Sequence, residues 1–226
     1  MSILEVGCGP GFITERLLEA LPRATVTAVE LDPAMVELAS TRLASHIGER
    51  LEIVDASILY TDLAEESFDF ALARFVFQHV AAPDLAAAEI FRLLKPGGRI
   101  AIADIDDGIG GLVVPHIPAF EQLARRVRQV QVSSGGDREI GRKLWRLLAD
   151  AGYVDLTLDT VVFHSDELGL AAFLPQYDPE RYRALVVAGG LTLAEWESYR
   201  QAYVRFLATP DALILQLILL ASGTKP

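Results

Sequence analysis

Over its first hundred residues the chain alternates between two hydrophobic periods, and that alternation restricts the fold more than any other feature. Residues 3–6, 25–29, 51–54, 68–73 and 99–104 are short apolar or β-branched runs that read as strands. Between them, residues 13–21 carry helical spacing, with Leu17, Leu18 and Leu21 on one face. Asp32-Pro33 supplies an N-cap acceptor followed by proline at the first helical position, so a helix is expected from there to about Ile47, stopping at Gly48. A further helix over 83–94 is halted by Lys95-Pro96-Gly97-Gly98. Strands that alternate with helices imply right-handed crossovers and a mostly parallel sheet. Runs that are apolar throughout, such as Phe70-Ala71-Leu72-Ala73, fit a sheet covered on both faces.

After Asp107 the pattern loosens. Gly108, Gly110 and Gly111 read as a mobile joint, 117–132 and 138–151 as helices, 154–163 as a strand, and 213–220 as a last strand. Residues 166–208 hold short helices broken by Pro175, Pro179 and Gly189-Gly190. A length of 226 residues fits one α/β domain rather than two. Of the net charge of −11, residues 1–113 carry 18 acidic and 8 basic side chains. No basic footprint for nucleic acid is present, and an acidic first half suits a cationic ligand. The lone Cys8 excludes a disulfide framework and cysteine-based zinc sites, and no other cluster has metal-ligand spacing. The apolar run 212–221, interrupted by Gln216, is too short to span a bilayer, and no signal peptide opens the chain. A soluble cytoplasmic protein without a membrane partner is therefore expected.

The chemistry is concentrated at the ends of the first strands. Glu5-Val6-Gly7-Cys8-Gly9-Pro10-Gly11 lies between the first strand and the first helix, where glycines allow a tight turn and close approach to a ligand. The spacing is not that of a dinucleotide binder, whose third glycine would stand at Phe12, and there is no P-loop lysine. Glu30 ends the second strand, where a carboxylate can accept both hydroxyls of a ribose. Asp55 and Ala56 end the third, where a carboxylate can accept an exocyclic amine and a backbone N–H can donate to a ring nitrogen. Three successive strand ends thus offer groups suited to one adenosine.

These residues, together with 67–75 and Leu93-Leu94-Lys95-Pro96-Gly97-Gly98-Arg99, resemble the class I S-adenosylmethionine-dependent methyltransferases of the small-molecule type. The resemblance covers about residues 2–105. It implies a Rossmann-like α/β doubly wound sheet of seven strands, order 3-2-1-4-5-7-6, with the last strand antiparallel and helical lid insertions. It places Gly7, Gly9 and Gly11 against the methionine part of S-adenosyl-L-methionine, with Glu5 near its amino group. It gives Glu30 the ribose, Leu31 the adenine face, Asp55 the adenine amine, Ala56 a backbone N–H, and Arg74 a carbonyl for the ammonium. No metal is implied. Family members usually carry helices before the first strand, whereas here that strand begins at about residue 2. Either the start lies too far downstream or other segments provide the cover. The second alternative gives a single domain over 1–226, with 1–107 as the cofactor-binding half and 108–136 and 166–209 as the lid.

The implied reaction moves a methyl group to an oxygen or nitrogen of a small-molecule acceptor by in-line displacement, which needs a base only where the acceptor must lose a proton. His79, after the fourth strand, and His116, in the joint, are the catalytic candidates. Competing readings are a noncatalytic cofactor-binding module, a protein methyltransferase and a nicotinamide-dependent oxidoreductase. Arg138, Arg142 and Arg146 at i, i+4, i+8 read as an anion site or a solvated helix face, with Glu139 and Lys143 paired. Phe163, Phe173, Tyr177, Tyr182 and Trp196 read as an acceptor pocket or as lid core. The oligomeric state is left open.

Overall fold

The computed structural model describes residues 1–226. One mixed sheet forms its centre, from β1 (Ser2–Val6), β2 (Thr25–Glu30), β3 (Leu51–Asp55), β4 (Phe68–Arg74), β5 (Leu94–Asp104), β6 (Gly111–Val114), β7 (Val154–His164) and β8 (Leu213–Thr224). The order is β3-β2-β1-β4-β5-β8-β6, with β7 also pairing with β8. β1 to β5 run parallel and β8 runs antiparallel to β5. The expected 3-2-1-4-5-7-6 arrangement is present, with β7 and β8 as its sixth and seventh strands and one addition. Residues 219–224 of β8 pair with β5, while 213–216 pair with β6, so β6 continues the line of β5 along the same edge. The supposed mobile joint is therefore partly strand. Gly111 is required there because a side chain would collide with the carbonyl of Leu215.

The early helices are α1 (Phe12–Ala20), α2 (Pro33–Arg42) and α3 (Pro83–Leu93). α2 starts as expected, with Asp32 Oδ1 accepting from the Ala34 N–H at 2.9 Å. It ends at Arg42 rather than Ile47, because Leu43 turns into the core and the following residues form turns. Lys95-Pro96-Gly97-Gly98 belongs to β5, beside a register shift between Phe68 and Phe70. Adjacent residues of β1 serve opposite faces. Leu4 joins a core with Phe77, Ile90, Leu93 and Ile102, and Ile3 joins one with Leu18, Val26 and Leu43. Burial on both faces explains why this strand is apolar throughout.

The second half builds a third core. α4 (Pro118–Ser133) and α9 (Leu193–Leu207) pack together, and Phe120, Leu123, Phe173, Trp196, Tyr199 and Phe206 fill the space between them. The short helices α6 (Ser165–Leu168), α7 (Leu174–Tyr177) and α8 (Arg183–Val187) wrap this cluster. α9 opens with a capping box between Thr192 and Glu195. The five aromatic residues singled out in the sequence all lie in or against this core, so they serve it rather than an acceptor.

Residues 138–151 do not form one helix. A 3-10 turn (Ile140–Lys143) precedes α5 (Leu144–Asp150), and Arg138 stands outside both. Arg142 grips the buried Asp106 through Nε–Oδ2 and Nη2–Oδ1 contacts of 2.6 Å each. Burial acts to raise the Asp106 carboxyl, and this guanidinium overrides it, holding the group below its usual range. Arg138 grips Asp107, and Lys143 pairs with Asp137 rather than Glu139. Arg138 and Arg142 are not a free anion site, because carboxylates 31 and 36 residues away hold them, while Arg146 stands exposed. No helix is long and apolar enough to cross a membrane.

Candidate functional site

The glycine loop is tied to the end of β2. Gly7 and Cys8 donate to the Val29 carbonyl at 2.7 and 3.3 Å, and Gly9 donates to Glu30 Oε2 at 2.8 Å. Three successive N–H groups are thus spent within the protein, and the loop cannot act as a phosphate cradle. Gly7 has φ +68°, and a side chain there would run into Val76. Gly11 does a different job from the one expected. It caps α1 and lies against Leu43 and Ala39 of the α2 end, so it lets helices approach rather than touching the cavity.

A cavity of about 600 Å³ opens beside this loop. Val6, Gly7, Gly9, Val29, Glu30 and Leu31 form one side, and Ala56 to Leu59 another. Phe75, Val76 and His79 to Ala81 complete the lining, with Val76 against Gly7. Glu30 Oε1 also accepts from the N–H groups of Leu31 at 2.8 Å and Asp32 at 3.0 Å. With three of about four acceptor positions filled, the carboxylate has room for one hydroxyl rather than the two expected. Leu31 presents an apolar side chain that is 64% exposed. Ala56 lines the cavity, but its N–H is committed to the Glu30 carbonyl at 3.0 Å. Asp55 stands exposed and outside the lining; Ser57, Ile58 and Leu59 take that wall instead. Both departures arise because β3 stays paired with β2 through Asp55.

A smaller cavity of about 180 Å³ adjoins the loop, lined by Glu5, Gly7, Cys8, Phe12 and Arg74 among others. Glu5 pairs with Leu72 in the parallel ladder, so Glu5 and Arg74 project from the same face of the sheet. Glu5 is 4% exposed and its Oε2 has no hydrogen-bond partner. Burial pushes its carboxyl up to about 7. The Arg74 guanidinium stacks on Phe75, 4.4 Å from the ring centroid, and makes no ion pair; burial lowers its pKa. An orphaned carboxylate and an unpaired guanidinium at one cavity match an amino-acid zwitterion, ammonium to Glu5 and carboxylate to Arg74. A neighbouring apolar slot with one ribose acceptor completes the shape of S-adenosylmethionine, so the residues present fit that group.

His79 ends a 3-10 turn (Phe77–His79) and lines the larger cavity. Burial lowers its pKa, and the charges of Arg138 and Arg181 add to the effect. His116 is elsewhere: it is exposed and bonded to Glu121 at 2.8 Å, away from both cavities. Sequence reasoning missed the Arg74 side chain, having assigned only its carbonyl, and missed Gln131, whose amide reaches His79 at 3.2 Å.

Residues 4–102 match the family model described as a methyltransferase domain. The chain carries a class I methyltransferase domain. An uncharacterized 37.1 kDa protein in transposon Tn4556 of Streptomyces fradiae is 32% identical over 205 residues, covering 83% of this chain and 58% of that protein. Malonyl-[acyl-carrier protein] O-methyltransferase of Paenibacillus sp. is 33% identical over 43% of this chain and 36% of its own. A ubiquinone/menaquinone biosynthesis C-methyltransferase of Syntrophotalea carbinolica is 33% identical over 45% and 43%. Among solved structures, Haemonchus contortus phosphoethanolamine N-methyltransferase 2 in complex with S-adenosyl-L-methionine superposes with a TM-score of 0.63 at 16% identity, covering all of this chain and 49% of that one. The chain therefore spans between a third and three-fifths of the length of these curated relatives. The match ends within β5, and the helical unit lies beyond it.

Proposed function

We propose that this protein transfers a methyl group from S-adenosylmethionine to an oxygen or nitrogen of a small-molecule acceptor. The observation that carries the reading is the pairing of unpartnered Glu5 and Arg74 beside a loop whose N–H groups are already spent. That combination favours a zwitterion and opposes a pyrophosphate, which weighs against the nicotinamide reading. When bound, the cofactor supplies a methyl carbon activated by a sulfonium. The protein's own work is positioning and exclusion of water. Glu5 and Arg74 would hold the amino-acid end, Glu30 a ribose hydroxyl, and Leu31 with Ile58 and Leu59 the base. Phe75, Val76 and Val80 would form a dry wall against the acceptor, with His79 as its polar group. The helical unit reaches this wall, since Gly135 packs near Ala81 and the Gln131 side chain binds the Gln78 carbonyl at 2.8 Å.

Parallel calorimetric titrations with S-adenosylmethionine, S-adenosylhomocysteine and NAD test the cofactor. Binding of the first two and not the third, weakened at least tenfold by Glu30→Ala, is expected. NAD binding alone would overturn the reading. A carrier-bound acceptor is the second reading, favoured by the malonyl-[acyl-carrier protein] relative. Methyl transfer to a protein-bound rather than a free carboxylate would establish it. Tight cofactor binding without turnover on either class would leave a noncatalytic module.

A further inference from the structure

His79 is held by a series of groups whose hydrogen-bond polarity can be read from its far end. Asp107 accepts from Arg138 Nε at 2.7 Å and Nη2 at 3.1 Å. Arg138 only donates, and its Nη1 gives a bond of 2.9 Å to the Gln131 side chain, so the atom there is the Gln131 amide oxygen. The amide nitrogen then faces the Gln78 backbone carbonyl at 2.8 Å, which only accepts. Two neighbours of opposite and fixed polarity settle which way the Gln131 amide points. Its second N–H faces His79 Nδ1 at 3.2 Å, with Gln78 Oε1, which also accepts from Arg138 Nη1, slightly farther away at 3.3 Å. An amide nitrogen cannot accept, so Nδ1 must present its lone pair. A neutral imidazole with a lone pair on Nδ1 carries its proton on Nε2. No protein group bonds Nε2, and His79 lines the main cavity.

We propose that His79 is a fixed hydrogen-bond donor to the acceptor molecule and not the base that deprotonates it. This rests on the methyl-transfer reading above, and it narrows the substrate class. The entering molecule presents an electron pair to the Nε2–H, and its reacting atom arrives already nucleophilic. An oxygen acid that enters ionised, such as a carboxylate, meets both conditions, and Arg138 and Arg181 supply a favourable field for it. The carboxylate oxygen then forms a bond to the methyl carbon as the carbon–sulfur bond breaks. The electron pair of that bond stays on sulfur and cancels its charge, and no proton moves. An alcohol, which must lose a proton, finds no base in His79. Burial and the two arginines also keep the ring neutral, consistent with this role.

The test uses the full chain labelled with 15N-histidine and no ligand. Two-bond proton–nitrogen correlation at pH 8 reads which ring nitrogen carries the proton, and His79→Gln identifies the His79 signals. A single tautomer with bare Nδ1 and protonated Nε2 is expected. Gln131→Glu puts a carboxylate against Nδ1 and should reverse the tautomer, leaving the signals of His46, His116 and His164 in place. A wild-type ring protonated on Nδ1, or a pattern that Gln131→Glu does not alter, overturns the proposal. If Gln131→Glu fails to fold, Gln131→Met removes the donor without adding charge and must turn the single tautomer into a mixture; an unchanged tautomer overturns it. The measurement needs no cofactor, so it can fail while the calorimetric titrations succeed, and the reverse.

Discussion

The two halves of this chain bury comparable kinds of side chain but are organised by different partners. In residues 1–107 the polar groups at the site are tied to the glycine loop, as Glu30 is, or left open towards a cavity, as Glu5 is. In residues 108–226 polar groups mostly close on one another, as Arg126 does on Glu195 at 2.9 Å and Trp196 Nε1 on the Pro179 carbonyl at 2.8 Å. The first half holds unspent bonding capacity for a ligand. The second spends much of its capacity on itself, ties to the first through Arg138 and Arg142, and reaches the site through the end of α4. A half that must accommodate a fixed ligand is restricted in sequence, whereas one that must only pack is not.

That contrast can be broken deliberately. The largest effect is expected from Phe120→Ala, which empties the centre of the helical core, where rings of Tyr177, Tyr199 and Phe206 lie 5.0 to 5.6 Å away. A stability loss of about 3–5 kcal/mol is expected in denaturant titrations. Binding of 5′-methylthioadenosine, which needs only the first half, should survive under native conditions. Loss of both together would show that the halves are one cooperative unit.

Glu5 should cost the free protein stability. Its folded pKa of about 7 lies above the usual carboxylate value, so the native state holds a proton that the unfolded chain has released. Stability is unaffected by this group at acid pH and falls as pH rises from the unfolded value towards 7. Glu5→Gln should therefore raise the melting temperature at pH 8 by the equivalent of at most about 3 kcal/mol, with no gain near pH 4. It should weaken S-adenosylhomocysteine binding at the same time. An equal gain at both pH values would contradict the assignment.

Arg74→Gln sharpens the comparison within the site. It should weaken S-adenosylhomocysteine by about tenfold, the worth of one charge-assisted pair. Binding of 5′-methylthioadenosine, which has no amino-acid end, should stay within about twofold. Equal losses for both nucleosides would remove Arg74 from that role. The smallest effect is expected on the far side of the molecule. Thr192→Ala removes the cap of α9, where Oγ1 accepts from the Glu195 N–H at 3.2 Å, and should cost about 1 kcal/mol in a thermal melt with no change in nucleoside affinity.

Much of the first half was legible in the sequence because its determinants are local. The Asp32-Pro33 helix start, the apolar strands and the glycine loop each declare themselves within a few residues. What was not legible depends on distant partners. The pairing of Asp106 with Arg142 joins residues 36 apart, and nothing in either segment names the other. The 3-10 turn at Ile140–Lys143 hid inside good helical spacing, because Asp106 holds the Arg142 N–H as well as its side chain. β6 was hidden by the glycines around its start, which read as flexibility, whereas Gly111 marks a close approach to β8. At the site, Asp55 and Ala56 were placed by resemblance, and strand pairing decided otherwise. His79, singled out as a catalytic candidate, lines the main cavity, but its partner Gln131 is 52 residues away and invisible to any motif.

The position of β8 also governs the order in which the molecule can be assembled. β5 and β7 never pair with each other; β8 lies between them and binds both. During synthesis the parallel core and β7 therefore wait with open edges until residues 213–224 have emerged. The long sequence separation of Arg99 from Thr224 makes closing this gap a slow, non-local event. A nascent chain stalled before that strand would carry a formed nucleoside slot on a sheet still able to recruit a stranger's strand.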